Sequence, residues 1–147
     1  MGTAYLSHAL MIELTIEDRL ELHELAGRYG DIIDDRNWEA LDSIFTNDAV
    51  FEVVGLVVMN GLAEIQRFMR EEGRHPLAHL ITNVHAAAGP DGIRLYCRGI
   101  FPISSEQVEP GQRVFYGSYY DRVVKTDRGW RIAKRLFSTQ RLAAADS

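Results

Sequence analysis

Two turn signals in the second half of the chain, Gly89-Pro-Asp-Gly92 and Asp127-Arg-Gly129, constrain the fold more than any other feature. Each favours a tight hairpin, and each is flanked by long stretches rich in β-branched and aromatic residues. They predict four strands: Ala78 to Ala88, Ile93 to Ile103, Arg113 to Lys125 and Trp130 to Arg141. A polar loop through Pro110-Gly111 joins the middle pair. Strands of this length must curl to bury one face, and something else in the chain must cover that face.

The first half supplies the cover. Thr15 with Asp18 three residues on is an N-cap pattern, and Leu22, Ala26, Tyr29 and Ile33 recur at helical spacing up to about Asp35. Asn37 is expected to cap a second short helix, Trp38 to Phe45, before a strand from Val50 to Val54. Gly55 begins a turn, Val57 to Asn60 pairs back, and Gly61 opens a third helix to about Gly73. This is an α+β plan: a cone-shaped barrel of curved, mixed but mostly antiparallel sheet, closed by three N-terminal helices. A cone closed in this way encloses a pocket, a common form of ligand site. We expect a flexible arm over residues 1–14, a single domain over 15–142 and a short tail over 143–147.

At 147 residues, 46% hydrophobic and 25% charged, the chain has the size and composition of one soluble domain with a full core. Its net charge of −5, with Arg and Lys scattered, offers no electrostatic footprint for nucleic acid. The single Cys97 excludes an internal disulfide, and no stretch is long and apolar enough for a membrane span. The apolar start is broken by Ser7 and His8 and lacks a basic lead-in, so it does not read as a signal peptide. The cytoplasm is the expected compartment. The five histidines form no HxH or HExxH pattern, and no Gly-rich phosphate loop or Gly-x-Ser-x-Gly elbow occurs. We therefore expect neither metal nor cofactor.

The residues that look like chemistry are Asp34 and His79. On the helical period Asp31 and Asp35 fall on the solvent stripe, whereas Asp34 falls at the border of the apolar face and can point inward. Gly27 and Gly30 beside it leave room for a ligand or for close packing. The bland alternative is a helix-terminal carboxylate paired with Arg36 or Arg98. On the strand, simple alternation places His79, Ile81, Asn83 and His85 on one face. A carboxylate beside an imidazole fixes the ring tautomer and favours the imidazolium that forms when the ring takes a proton. His85 shares the face and is the alternative base; a satisfied structural histidine is the bland reading of either. Tyr29, on the apolar stripe, reads as a core aromatic with a bonded hydroxyl. Asn83, His85, Arg98, Tyr119, Phe51 and Phe68 are the expected substrate contacts. His75 and His23 read as surface or boundary residues, Trp130 as structural and Cys97 as a small buried hydrophobe.

The run Tyr29-x4-Asp34-x3-Trp38, the segment Phe45-x2-Asp48-Ala-Val-Phe51, the strand start His79-x3-Asn83 and the pair Gly117-x-Tyr-x-Asp121 and Gly129-Trp-Arg-Ile132 resemble the SnoaL-like family. That family belongs to the superfamily of nuclear transport factor two, and the resemblance spans Ile12 to Arg141. Its pattern is similar to the branch of scytalone dehydratase, bile-acid 7α-dehydratase and hexachlorocyclohexane dehydrochlorinase. There a Tyr and an Asp late in the first helix and a His opening a strand form the catalytic group; Tyr29, Asp34 and His79 match. The second catalytic His of scytalone dehydratase is not matched, because that region reads Leu95-Tyr-Cys97-Arg98. The resemblance implies a cofactor-free lyase or isomerase, of dehydratase or cyclase type, acting on a small hydrophobic molecule such as an aromatic, steroid-like or polyketide-like compound. Long strands such as Arg113 to Lys125 would otherwise expose a large apolar outer face, so we expect a homo-oligomer, dimer or trimer, that covers it. The same fold serves as a non-catalytic ligand-binding or assembly module, for example the small subunit of ring-hydroxylating dioxygenases. Epoxide hydrolysis, a third activity of the superfamily, needs an Asp–Arg–Asp group, for which Arg98 is the available arginine.

Overall fold

The structure, a computed structural model, describes residues 13–104, 106 and 113–142. The expected arm, apart from its last two residues, and the expected tail lie outside these. Helix α1 (Ile16–Asp34) starts where the sequence says it should. The Thr15 hydroxyl accepts from the Asp18 N–H at 3.0 Å, and the Asp18 carboxylate accepts from the Thr15 N–H at 3.0 Å. Asp18 also accepts from Lys125 Nζ at 2.8 Å and from the indole of Trp130 at 3.0 Å, so the cap ties the start of α1 to the last hairpin. The apolar stripe Leu22, Ala26, Tyr29 and Ile33 is buried, together with Leu25.

The expected second short helix is a 3-10 helix (Trp38–Ser43), two residues shorter than expected, and Asn37 caps it through its backbone carbonyl alone. Strand β1 (Phe45–Val53) begins earlier than expected, because an irregularity between Phe45 and Val50 breaks its alternation. Strand β2 (Val57–Asn60) pairs back on β1, and α2 (Leu62–Glu71) crosses over it. The four remaining strands are β3 (Leu80–Gly89), β4 (Gly92–Pro102), β5 (Val114–Thr126) and β6 (Gly129–Ser138).

One six-stranded sheet results, in the order β2-β1-β6-β5-β4-β3, antiparallel except where β1 runs parallel to β6. It is curved and unclosed. Three of its ladders carry a register shift, and each shift bends the sheet. The concave face packs on α1, with Leu95, Phe101, Val123 and Ile132 buried against the helix stripe. Directly opposed Gly99 and Gly117 leave that face without side chains at one point. A Cβ on Gly99 would overlap the Phe101 ring and one on Gly117 the Phe137 ring, so the two glycines let these rings lie flat across the strands. Among the described residues no helix is long and apolar enough to cross a membrane.

Candidate active site

The last turn of α1 and the first residues before β3 meet at Gly30. A Cβ there would sit 3.1 Å from His79 Cβ and 3.2 Å from the His79 carbonyl oxygen. The glycine thus serves close packing, one of the two uses its position allowed, and the approach brings Asp34 to His79. Asp34 Oδ2 accepts from the His79 backbone N–H at 2.9 Å, and Oδ1 contacts ring Nδ1 at 2.7 Å. The backbone bond locks the carboxylate, and the carboxylate then places the proton of the neutral ring on Nδ1. Nε2 is left with its lone pair and has no partner among the described residues. The pairing of Asp34 with Arg36 or Arg98 does not occur: Arg36 donates instead to the Ile33 carbonyl at 3.0 Å.

His79 lines a cavity of about 460 Å³ between α1, α2 and the concave face. The walls are apolar, built from Ile33, Phe51, Val53, Phe68, Phe101 and Phe137, with Tyr29 and Tyr119 as inner polar groups. Leu56, 75 % exposed, and the segment Glu72–Pro76 form the rim. The Tyr29 ring meets the His79 ring edge-on at 5.9 Å, and Phe101 flanks it at 5.2 Å. Burial lowers the His79 pKa below the ordinary 6.5, against the opposing pull of Asp34. The ring is therefore neutral near pH 7, the state a base requires. Burial also pushes the Tyr29 hydroxyl up to about 12, so it is a proton-bearing donor.

Six of the expected site residues thus come together: Asp34, His79, Tyr29, Tyr119, Phe51 and Phe68, five of them on the cavity wall and Asp34 behind His79. Three do not. Asn83, His85 and Arg98 lie on the convex face of the sheet, away from this cavity. For Asn83 and His85 the cause is a bulge: the β3–β4 register shifts between Thr82 and His85, and Asn83 takes a left-handed φ of 54°. The extra residue turns His85 outward, where it stacks on Tyr96 at 5.1 Å, while Ala86 points in opposite Leu95. Arg98 pairs across the ladder with Thr82 and Ser118, on the same convex side.

Sequence reasoning missed two features. His75, expected only as a surface or boundary residue, is half-buried and lines the cavity rim, tilted against Trp38 at 5.2 Å and bonded to the Met69 carbonyl at 2.7 Å. Arg135 is fully buried and makes two bonds of 2.8 Å to Asp121, which is also buried. Its guanidinium carbon stands 4.2 Å from the Tyr29 ring centre and 4.3 Å from that of Tyr119, and Nη1 is buried without a hydrogen-bond partner among the described residues. Burial alone would lower the Arg135 pKa; the Asp121 carboxylate outweighs it, and the group stays cationic. Alternation counted from Trp130 puts Lys134 inside and Arg135 outside. The shift opposite Arg122 and Val123 leaves Ala133 unpaired and reverses this. The resemblance motif held half of the signal, since Asp121 shares the inner face with Tyr119. The Asp–Arg–Asp group is not assembled, because Asp34 is engaged by His79 and Arg98 faces out.

The family model of the SnoaL-like domain matches residues 14–136. The chain belongs to the SnoaL-like family. Like other SnoaL-like proteins it has the fold of the nuclear transport factor two superfamily. It is 30% identical over 141 residues to an uncharacterized protein of Mycobacterium tuberculosis, covering 90% of this chain and 92% of the relative. A nuclear transport factor two-like protein with a cystatin-like fold from Novosphingobium aromaticivorans superposes with a TM-score of 0.69 at 24% identity, over 98% of this chain and 94% of that one. A Mycobacterium tuberculosis protein of unknown function gives a TM-score of 0.69 at 26% identity, over 86% of this chain and 73% of that one. Among the described residues of this SnoaL-like chain, no group of three His, Cys, Asp or Glu side chains could hold a metal ion.

Proposed function

We propose that this SnoaL-like protein is a cofactor-free lyase or isomerase that removes a proton from carbon of a small, mostly apolar substrate. The observation that carries this reading is the doubly bonded Asp34–His79 pair at the wall of an open apolar cavity. In the mechanism, His79 Nε2 takes the proton, and Asp34 holds the ring and stabilises the imidazolium. Tyr29 donates a hydrogen bond to the substrate oxygen on which negative charge develops. Arg135 lies behind the Tyr29 and Tyr119 rings, and its positive field favours that charge without touching the substrate. The imidazolium then returns its proton, either to a leaving hydroxyl, which completes an elimination, or to a second carbon, which completes an isomerisation.

A non-catalytic assembly module would fill the cone with side chains. Here Phe51, Phe101 and Phe137 form walls around about 460 Å³ of space, which favours the enzyme. The test is a panel of cyclic β-hydroxy ketones with aromatic or steroid-like rings, incubated in D2O and followed by NMR for elimination and for deuterium entering at the carbon next to the carbonyl. The wild type is expected to turn over at least one of them. His79→Gln and Asp34→Asn are expected to be slower by roughly 10²–10⁴-fold. Turnover that survives both substitutions would overturn the mechanism.

A further inference from the structure

The convex face of the sheet carries a second feature that the cavity does not use. Strand register places Arg94 directly opposite Arg122, and Arg122 directly opposite Lys134. Adjacent strands lie about 4.8 Å apart, so three cations stand in one row across β4, β5 and β6. Like charges directly opposed on a sheet destabilise it. None of the three side chains has an ion pair or hydrogen bond with a described residue, and the chain as a whole is acidic at −5. All three line one concavity of about 400 Å³, together with Tyr120 and Glu52. The Tyr120 oxygen accepts from the Leu142 N–H at 2.9 Å, so its own proton is available to a ligand. Three cations against the single carboxylate of Glu52 leave a net charge of +2 in the concavity.

We propose that this row is a binding site for a phosphate dianion, the phosphate group of a small phosphate ester. The charge matches, and the donors are of the right kind: two guanidinium forks, an ammonium and a phenol can surround three terminal oxygens. The ligand explains why a costly row of like charges is built into an otherwise ordinary sheet. The site lies back to back with the cavity: Tyr120, Arg122 and Lys134 alternate along their strands with Tyr119, Asp121 and Arg135. It is therefore separate from the substrate site, and it stands whether or not the Asp34–His79 reading holds.

The test is thermal unfolding of the whole protein at pH 8 and low ionic strength, with inorganic phosphate, phenyl phosphate, or potassium chloride at matched ionic strength. Both phosphates are expected to raise Tm in a saturable way, beyond chloride. Tighter binding of phenyl phosphate would assign an ester, and equal binding the free ion. Arg122→Gln removes the central cation from an exposed position. Without ligand its Tm at low salt is expected to equal or exceed that of the wild type, because two repulsions are gone. Its affinity for phosphate is expected to fall about tenfold, the loss of one charged hydrogen-bonding partner. Lys134→Gln should act in the same direction. No Tm shift beyond chloride, or an equal shift in Arg122→Gln, would overturn the proposal. A change of molecular mass by light scattering in Arg122→Gln would overturn it too, since the row would then face a second copy of the chain.

Discussion

At the scale of the residue, the Asp34–His79 pair and the Arg135–Asp121 pair differ in what each can tolerate. Asp34 is partly exposed, its side chain at 23 %, and His79 is nearly covered at 7 %. Removing the charge of Asp34 therefore alters the ring more than the fold. Arg135 and Asp121 are both at 0 %. Asp121→Asn leaves a buried guanidinium without its counter-charge and is expected to cost about 3–5 kcal/mol, read as a fall in urea midpoint. The lowered His79 pKa sets a pH dependence with a defined sign. The neutral ring is the active form, so the acid limb of activity is expected to have its midpoint below 6.5. Stability follows the same direction: above 6.5 the ring is neutral folded or unfolded, and as pH falls the unfolded chain takes the proton first. His79→Gln should flatten that part of a Tm-against-pH curve. At this scale the sequence was legible for Asp34, whose place on the helical period separated it from Asp31 and Asp35, and for Tyr29. It was not legible for Arg135, whose facing depends on one unpaired residue, Ala133.

At the scale of the element, helices were easier to read than strands, for a physical reason. The period of α1 is set by its own hydrogen bonds, so Leu22, Ala26, Tyr29 and Ile33 remain on one stripe over its whole length. A strand has no internal ladder, and one bulge reverses every side chain beyond it. That reversal, at Asn83, took His85 out of the expected site while His79, on the near side of the bulge, stayed in; Arg98 faces out on the unbroken alternation of β4. Asn83→Gly is expected to be tolerated, since glycine takes the left-handed backbone freely. Asn83→Val is expected to cost about 1–3 kcal/mol, measured by denaturant unfolding. Close packing of elements has its own marker in Gly30. Gly30→Ala should force β3 away from α1 and lengthen the Asp34–His79 contact, lowering kcat more than it lowers Tm.

For the whole molecule, the plan of helices covering one curled sheet follows from the two hairpin signals and the amphipathic first half, and it is what the structure has. The open edges β2 and β3 and the exposed apolar side chains Leu80, Val114 and Tyr116 bear on assembly. Leu80 and Tyr116 both face Ile100 across the ladder, at the end of the convex face remote from the Arg94 row. We propose that a second or third copy covers this end. Light scattering at micromolar concentration is expected to give the mass of a dimer or trimer, and Tyr116→Glu to shift it toward monomer; a wild-type monomer would contradict this.

The claim that carries the whole account is that Asp34 holds His79 as a neutral base with its lone pair on Nε2. Long-range proton–nitrogen NMR of the histidine rings tests it without a substrate. The account predicts the Nδ1–H tautomer for His79, a titration midpoint below 6.5, and a further drop in Asp34→Asn, where the carboxylate no longer favours the imidazolium. An Nε2–H tautomer, or a midpoint unmoved by Asp34→Asn, would contradict it.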